Sequence, residues 1–150
     1  MATYAFQDCF VAIKGPGGSF SLGAGSANAE EGISITMLED KDSMMMGADG
    51  AYMHSLHAGK GGMVSVSLLK TSPVNQLLME MYNFQTMSSA NHGENVISLR
   101  DVARGDSITC RGCAFKKAPD LKFAKEGGMN MWEWHAGIID QKLGNGTPAL

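Results

Sequence analysis

Charge is what this sequence has least of. Asp, Glu, Lys and Arg make up 18% of it, against about a quarter in an ordinary soluble domain. So few charges leave less surface suited to water, which points toward extensive contact between subunits. Long apolar runs are missing too. No segment approaches the roughly 20 apolar residues of a membrane helix. Cysteine is scarce, and its count is odd: Cys9, Cys110 and Cys113 make a poor disulfide framework. The start, MATYAFQDCF, lacks a basic region followed by an apolar stretch, so no signal peptide is expected. The expectation is a soluble protein made in the cytoplasm and kept reduced. Internal repeats are absent, as is low complexity beyond richness in glycine.

What remains is enough for one domain. The 150 residues can bury a core without covalent staples, and 44% of them are hydrophobic. Twelve are methionine, which fills irregular cores and also suits adaptable interfaces. The net charge of −3 argues against general nucleic-acid affinity. It is unevenly spread. Residues 1–59 carry seven acids and two bases, and residues 60–150 carry ten bases and eight acids. Opposite-signed faces that stack head to tail are one reading of that gradient.

Along the chain, period-two patterns dominate. The run from Thr3 to Ile13 is rich in aromatic and branched residues, and Gly15, Pro16, Gly17 and Gly18 then predict a turn into SFSLG. GSANAEEG reads as a polar loop. ISITMLED alternates, with Ile33, Ile35 and Met37 opposed to Ser34, Thr36 and Leu38. DSMMMGADG predicts a further strand ending in a glycine turn. Residues 47–62 show no clear period. MVSVSLLK alternates again.

One helix is marked, over 73–85. Ser72 is placed to cap it, Pro73 to occupy its first position, and Leu77, Leu78 and Met81 to bury against a sheet. VISLRD, DSITCRGCAF (with an irregularity at Gly112) and MNMWEWHAGIID return to strand. In the last, Trp132, Trp134 and Ala136 alternate with Glu133 and His135. The tail QKLGNGTPAL is expected to be irregular and exposed, and flexible over about 143–150. About eight strands and one helix, without regular helical crossovers, predict a mostly antiparallel β-sandwich or open barrel with the helix covering one side.

The stretch YMHSLHAGKGG, residues 52–62, gathers the side chains most suggestive of chemistry. A phosphate loop needs G-x-x-x-x-G-K-[ST]. Here His54 stands where its first glycine belongs and Gly61 where its hydroxyl belongs, so that reading fails. His54 and His57, together with Cys110 and Cys113, have the ligand types and spacing of a Cys₂His₂ zinc site, provided the two pairs meet in space. Otherwise the cysteines face different sides of a strand or bulge, one of them buried, and the histidines make loop hydrogen bonds. No G-x-S-x-G or cysteine-nucleophile signature occurs. Neighbouring acids such as Glu39 and Asp40 would point to opposite faces of a strand, so no general acid/base pair is evident. His92 is expected in a turn after the helix and His135 in a strand. No catalytic residue and no cofactor is expected.

Several ordered segments resemble a family of structural proteins from contractile-tailed bacteriophages, identified as tail tube proteins. They are GPGGSFSLG, AEEGISITMLEDKDSMMMGADG, MHSLHAGKGG, LLKTSPVNQLLMEMYNFQT and DVARGDSITCRGCAFKK, and the resemblance spans about Thr3 to Gly144. It implies a sandwich or half-barrel with a flanking helix, six-membered rings, and stacking of the rings into a hollow tube whose lumen is one closed β-barrel. It further implies a place in the virion tail, with sheath, tape measure, baseplate and tail terminator proteins as partners and DNA passing without specific binding. Residues 39–62 become the expected assembly arm. Met44, Met45, Met46, Tyr52, Met53 and Leu56 would supply apolar contact, and His54, His57 and Lys60 polar contact at its rim. Ser34, Thr36, Ser65 and Ser67 are expected to face a lumen of small, polar or acidic side chains. Two alternatives stay open: a tube protein of a phage-derived or type VI-like device that passes protein cargo, and a small zinc-binding or enzymatic domain.

Overall fold

A computed structural model describes residues 9–22, 28–101 and 104–144. The expected strand over 3–8 and the tail over 145–150 lie outside them. Among the described residues there are ten strands and one helix. The strands are β1 (Cys9–Gly15), β2 (Gly18–Ser21), β3 (Asn28–Met37), β4 (Asp42–Met46), β5 (Tyr52–Leu56), β6 (Gly62–Leu69), β7 (Asn95–Asp101), β8 (Asp106–Lys117), β9 (Met129–Ala136) and β10 (Ile138–Lys142). The helix, α1 (Val74–Gln85), lies between β6 and β7. Every strand pairing is antiparallel.

The body is organised around one long ribbon. β8 pairs with β10 up to Arg111 and with β9 from Ala114, the register carrying through the switch as far as Phe115. Gly112 and Gly137 face each other at the break, and Gly137 N–H donates to the Arg111 carbonyl at 3.1 Å. Gly112 has φ +63°, a left-handed conformation that glycine adopts without Cβ strain. The irregularity expected there is thus a bulge, seen also as the register shift between β7 and β8. It sends the ribbon from one sheet to the other. The first sheet runs β2-β1-β7-β8-β10, and the second runs β8-β9-β6-β3.

Strand alternation delivers the core between these layers. Val11 and Ile13 face inward from β1, Val64, Val66 and Leu68 from β6, and Trp132, Trp134 and Ala136 from β9. Phe115 packs edge-on against Tyr82 and Trp132. Helix α1 adds Val74, Leu78, Met81 and Gln85 at helical spacing. Its end is fixed by a buried amide pair. Asn95 Nδ2 donates to Gln85 Oε1, and Gln85 Nε2 donates to Asn95 Oδ1 and to the Pro16 carbonyl, each at 2.7 Å. That network ties the β1–β2 turn, the helix and β7 together.

Several expectations are corrected. Leu77 is 43% exposed, because the buried stripe runs through Val74 and Leu78 and leaves it on the flank. Pro73 is the N-cap and Ser72 lies before it, accepting the Val74 N–H at 3.4 Å. The polar loop expected through Gly32 is strand from Asn28 on; a register shift before Ile33, with Gly32 at φ +60°, had hidden its period. Residues 47–62, where no period is evident in the sequence, hold β5 and the start of β6. Gln141 and Lys142 belong to β10.

Candidate assembly surfaces

Among the described residues β4 and β5 pair only with each other, in register from Asp42↔Leu56 to Met46↔Tyr52. The tip turns through Gly47, whose N–H donates to the Ala51 carbonyl at 2.7 Å, with Asp49 Oδ1 accepting the Ala51 N–H at 3.1 Å. Gly50, at φ +90°, completes the turn. At the base, Lys41 clamps the two legs. Its carbonyl accepts the His57 N–H at 2.9 Å, and its ammonium donates to the carbonyls of His57 and Gly59 at 3.3 and 2.5 Å. The hairpin is thus a self-bonded arm standing off the body.

The two faces of this arm follow from the pairing, since opposed residues share a side. One face carries Asp42, Met44, Met46, Tyr52, His54 and Leu56; the other carries Ser43, Met45, Met53 and Ser55. Met44, Met45, Met46, Tyr52, Met53 and Leu56 are between 55 and 86% exposed. An arm with apolar side chains on both faces needs cover on both, so it suits a cleft better than a flat surface. His54 Nδ1 lies 3.1 Å from an Asp42 carboxylate oxygen and edge-on to the Tyr52 ring. His57 sits at the base and Lys60 just before β6, both exposed.

The second surface is the side of the β8-β9-β6-β3 sheet turned away from the core. Ser34 and Thr36 from β3 and Ser65 from β6 lie on it, with Ser34 opposite Ser65 and Ser65 opposite Glu133. Ser67 shares their parity but is only 2% exposed. Sequence reading did not assign Met63, Met131, Glu133, His135 and Lys116 to this face. The alternation of Glu133 and His135 with the tryptophans was the available signal, and the β6–β9 register completes it. Lys116 and Glu133 form an ion pair at 3.2 Å. The same sheet ends in two edges with no strand partner among the described residues: β3 on one side, and β8 from Ala114 to Lys117 on the other.

The structure does not bring the zinc candidates together. Cys110 and Cys113 are both buried in the core, where the Gly112 bulge turns both inward, while His54 and His57 are exposed at the arm. Among the described residues, no three His, Cys, Asp or Glu side chains form a group able to hold a metal ion. Burial pushes the Cys110 thiol up to about 11 and the Cys113 thiol to about 12, the latter aided by the neighbouring Cys110 charge. Such thiols lack the thiolate character of nucleophiles and metal ligands at neutral pH. No helix among the described residues is long and apolar enough to cross a membrane.

Comparison with known proteins follows the geometry. The family model described as bacteriophage PhiTE tail tube protein matches residues 1–144. No curated protein matches in sequence. Among solved structures, the anti-feeding prophage cap, described as a tube terminating cap, superposes with a TM-score of 0.54 at 9% identity, covering 95% of this chain and 94% of that one. The sheath/tube terminator of the extracellular contractile injection system PVC gives 0.55 at 11%, covering 89% and 92%. A chain of the anti-feeding prophage baseplate gives 0.53 at 11%, covering 95% and 97%. At such identities the likeness shows a shared fold.

Proposed function

The chain belongs to the bacteriophage PhiTE tail tube protein family, a family of structural proteins of the phage tail, and from that membership we propose that it is the repeating subunit of the tube itself. Six copies form a ring, the rings stack, and the hollow stack conducts the genome inside a contractile sheath. Its partners are further copies of itself, with sheath, tape measure, baseplate and terminator proteins around the assembly. The role is structural, without catalysis, and the protein ends in the virion tail.

The observation that carries this reading is the pair of edges on the β8-β9-β6-β3 sheet that have no strand partner among the described residues. An open edge is a template for another strand, and closure into a barrel removes it. Joining β3 of one copy to the Ala114–Lys117 segment of the next would extend the sheet around a ring with its core face outward. The face bearing Ser34, Thr36 and Ser65 would then line the channel. Its charges are sparse: Glu133 is neutralised by Lys116, and His135 stands alongside. A wall with little net charge gives DNA phosphates no row of cations to hold. The arm, apolar on both faces, supports contact with neighbouring copies.

The test is electron microscopy of the purified protein at high concentration. Hollow tubes of stacked six-fold rings are expected. A chain that stays monomeric at every concentration and ionic strength would sink the proposal.

A further inference from the structure

Strand registers put the arm and a second feature at opposite ends of the β8-β9-β6-β3 sheet. Met37, Gly62 and Ala136 share a row at one end, and Leu68 and Asn130 a row at the other. The arm leaves from the first end, between Met37 and Gly62. At the second, residues 118–128 fold over the end of β6. Lys70 holds them. Its N–H donates to the Gly128 carbonyl at 3.1 Å, its ammonium donates to the Lys122 carbonyl at 2.6 Å, and that ammonium stands 3.8 Å from the Phe123 ring centre. Two grooves, of about 460 and 370 Å³, share Met129 in their lining. Lys70, Lys122 and Lys125 border the first; Lys117, Asp120 and Met131 border the second. Leu121 and Phe123 project beside them, 54 and 82% exposed.

The two ends are opposite in charge. Residues 39–57 of the arm carry Glu39, Asp40, Asp42 and Asp49 against Lys41. The far end carries Lys70, Lys117, Lys122 and Lys125 against Asp120 and Glu126, while Lys116 is paired with Glu133. We infer that the arm of one copy seats in the paired grooves around Met129 at the lysine-bordered end of the next copy, an inference that rests on the tube reading above. The fit has three parts. The arm has two apolar faces to cover, and two grooves that share Met129, with Ala124 in one and Pro119 and Met131 in the other, offer apolar cover at more than one place. Acidic arm and basic rim attract. The contact joins unlike surfaces, and a heterologous contact of that kind propagates into an open stack rather than closing as a dimer. Exposed charges are screened beyond about 8 Å at physiological salt. They therefore set the polarity and register of stacking, while apolar burial holds the contact.

Engineered cysteines test this directly, because the native Cys9, Cys110 and Cys113 are buried. A Tyr52→Cys/Phe123→Cys chain, assembled and mildly oxidised, is expected to run as a ladder of multimers on a non-reducing gel. Reductant should collapse the ladder, and neither single variant should give it. In parallel, Lys122→Glu/Lys125→Glu is expected to slow stacking and spoil its register while keeping its near-ultraviolet circular dichroism, and adding Asp40→Lys/Asp49→Lys should restore both. If the cysteine variant does not fold, the charge-reversal pair decides alone. Wild-type tubes accompanied by no ladder, or by charge-reversed chains that stack as wild type does, would show that the arm seats elsewhere and leave the tube reading standing. Wild-type protein that never forms tubes would overturn both.

Discussion

Trp132 and Trp134 stand two residues apart on β9 and differ in one hydrogen bond. The Trp132 indole N–H donates to Asn75 Oδ1 at 3.0 Å, and Asn75 in turn donates to the Leu69 and Ser72 carbonyls at 2.9 and 3.2 Å. That chain of bonds anchors the start of α1 to the sheet. The Trp134 N–H is buried with no acceptor among the described residues. Replacing either ring by Phe removes volume, but only Trp132→Phe leaves a former partner unsatisfied. Trp132→Phe is therefore expected to cost about 1 kcal/mol more than Trp134→Phe in urea unfolding; equal costs would refute the role given to Asn75. The buried thiols supply a second test. Folding raises Cys110 and Cys113 from an ordinary 9.0 to about 11 and 12. An acid whose folded pKa is raised stabilises fully below the unfolded value, and that contribution is lost as pH climbs through the window, here from pH 9 upward. The protein should be about 2–3 kcal/mol less stable at pH 10 than at pH 8. Both thiols should resist a thiol reagent at pH 8 until the chain unfolds. Labelling of the native protein at a free-thiol rate would contradict their burial.

The arm can be removed because its legs meet. Asp42 and Leu56 are directly paired, so a two-residue Asn-Gly turn can replace residues 43–55 and close the hairpin at its base. The arm contributes no side chain to the core cluster, and the shortened protein is expected to unfold within about 0.5 kcal/mol of the wild type. Tube formation should be lost. A shortened chain that still builds tubes would remove the arm from assembly; one that cannot fold would show that the hairpin supports the body. How much of this element was legible follows from its physics. Met44, Met45, Met46, Tyr52 and Met53 were expected as contact residues from the resemblance to tail tube proteins rather than from any local pattern, and the structure leaves them exposed. The strand β5 was not legible. YMHSL has no polar–apolar alternation, since both faces of the arm await cover, and period-two reading works only where one face is already buried. The strands of the body announced themselves because each buries one side, as Val64, Val66 and Leu68 do against Ser65. The grooves around Met129 were invisible for another reason: they arise where residues 118–128 meet Lys70, 52 positions from its partner Lys122, and no local pattern encodes that meeting.

For the molecule as a whole, the bulge at Gly112 and the break at Gly137 allow one ribbon to serve two sheets. One of those sheets keeps both its edges open among the described residues. Among the described residues this leaves strand edges and apolar side chains uncovered, and in the tube reading identical copies cover both. This also accounts for the low charge of the chain, since surface destined for burial between subunits gains little from ions. The tube reading then commits the Ser34–Ser65–Glu133 row to the channel wall. Ser65 lies mid-strand between those two neighbours, away from both edges and from the arm, so Ser65→Lys should leave ring formation and stacking intact. In a six-fold ring it would set six ammonium groups around the bore, repeated in every ring. DNA phosphates would then meet successive bands of positive charge, and each contact would have to be broken as the genome moves. Tails carrying the variant are expected to form normally by electron microscopy while infectivity in a complementation assay falls at least about tenfold. Raised salt should recover part of the rate of DNA release in vitro, because screening weakens those contacts. Normal infectivity from Ser65→Lys tails would place that face outside the channel and require the sheet to be turned the other way.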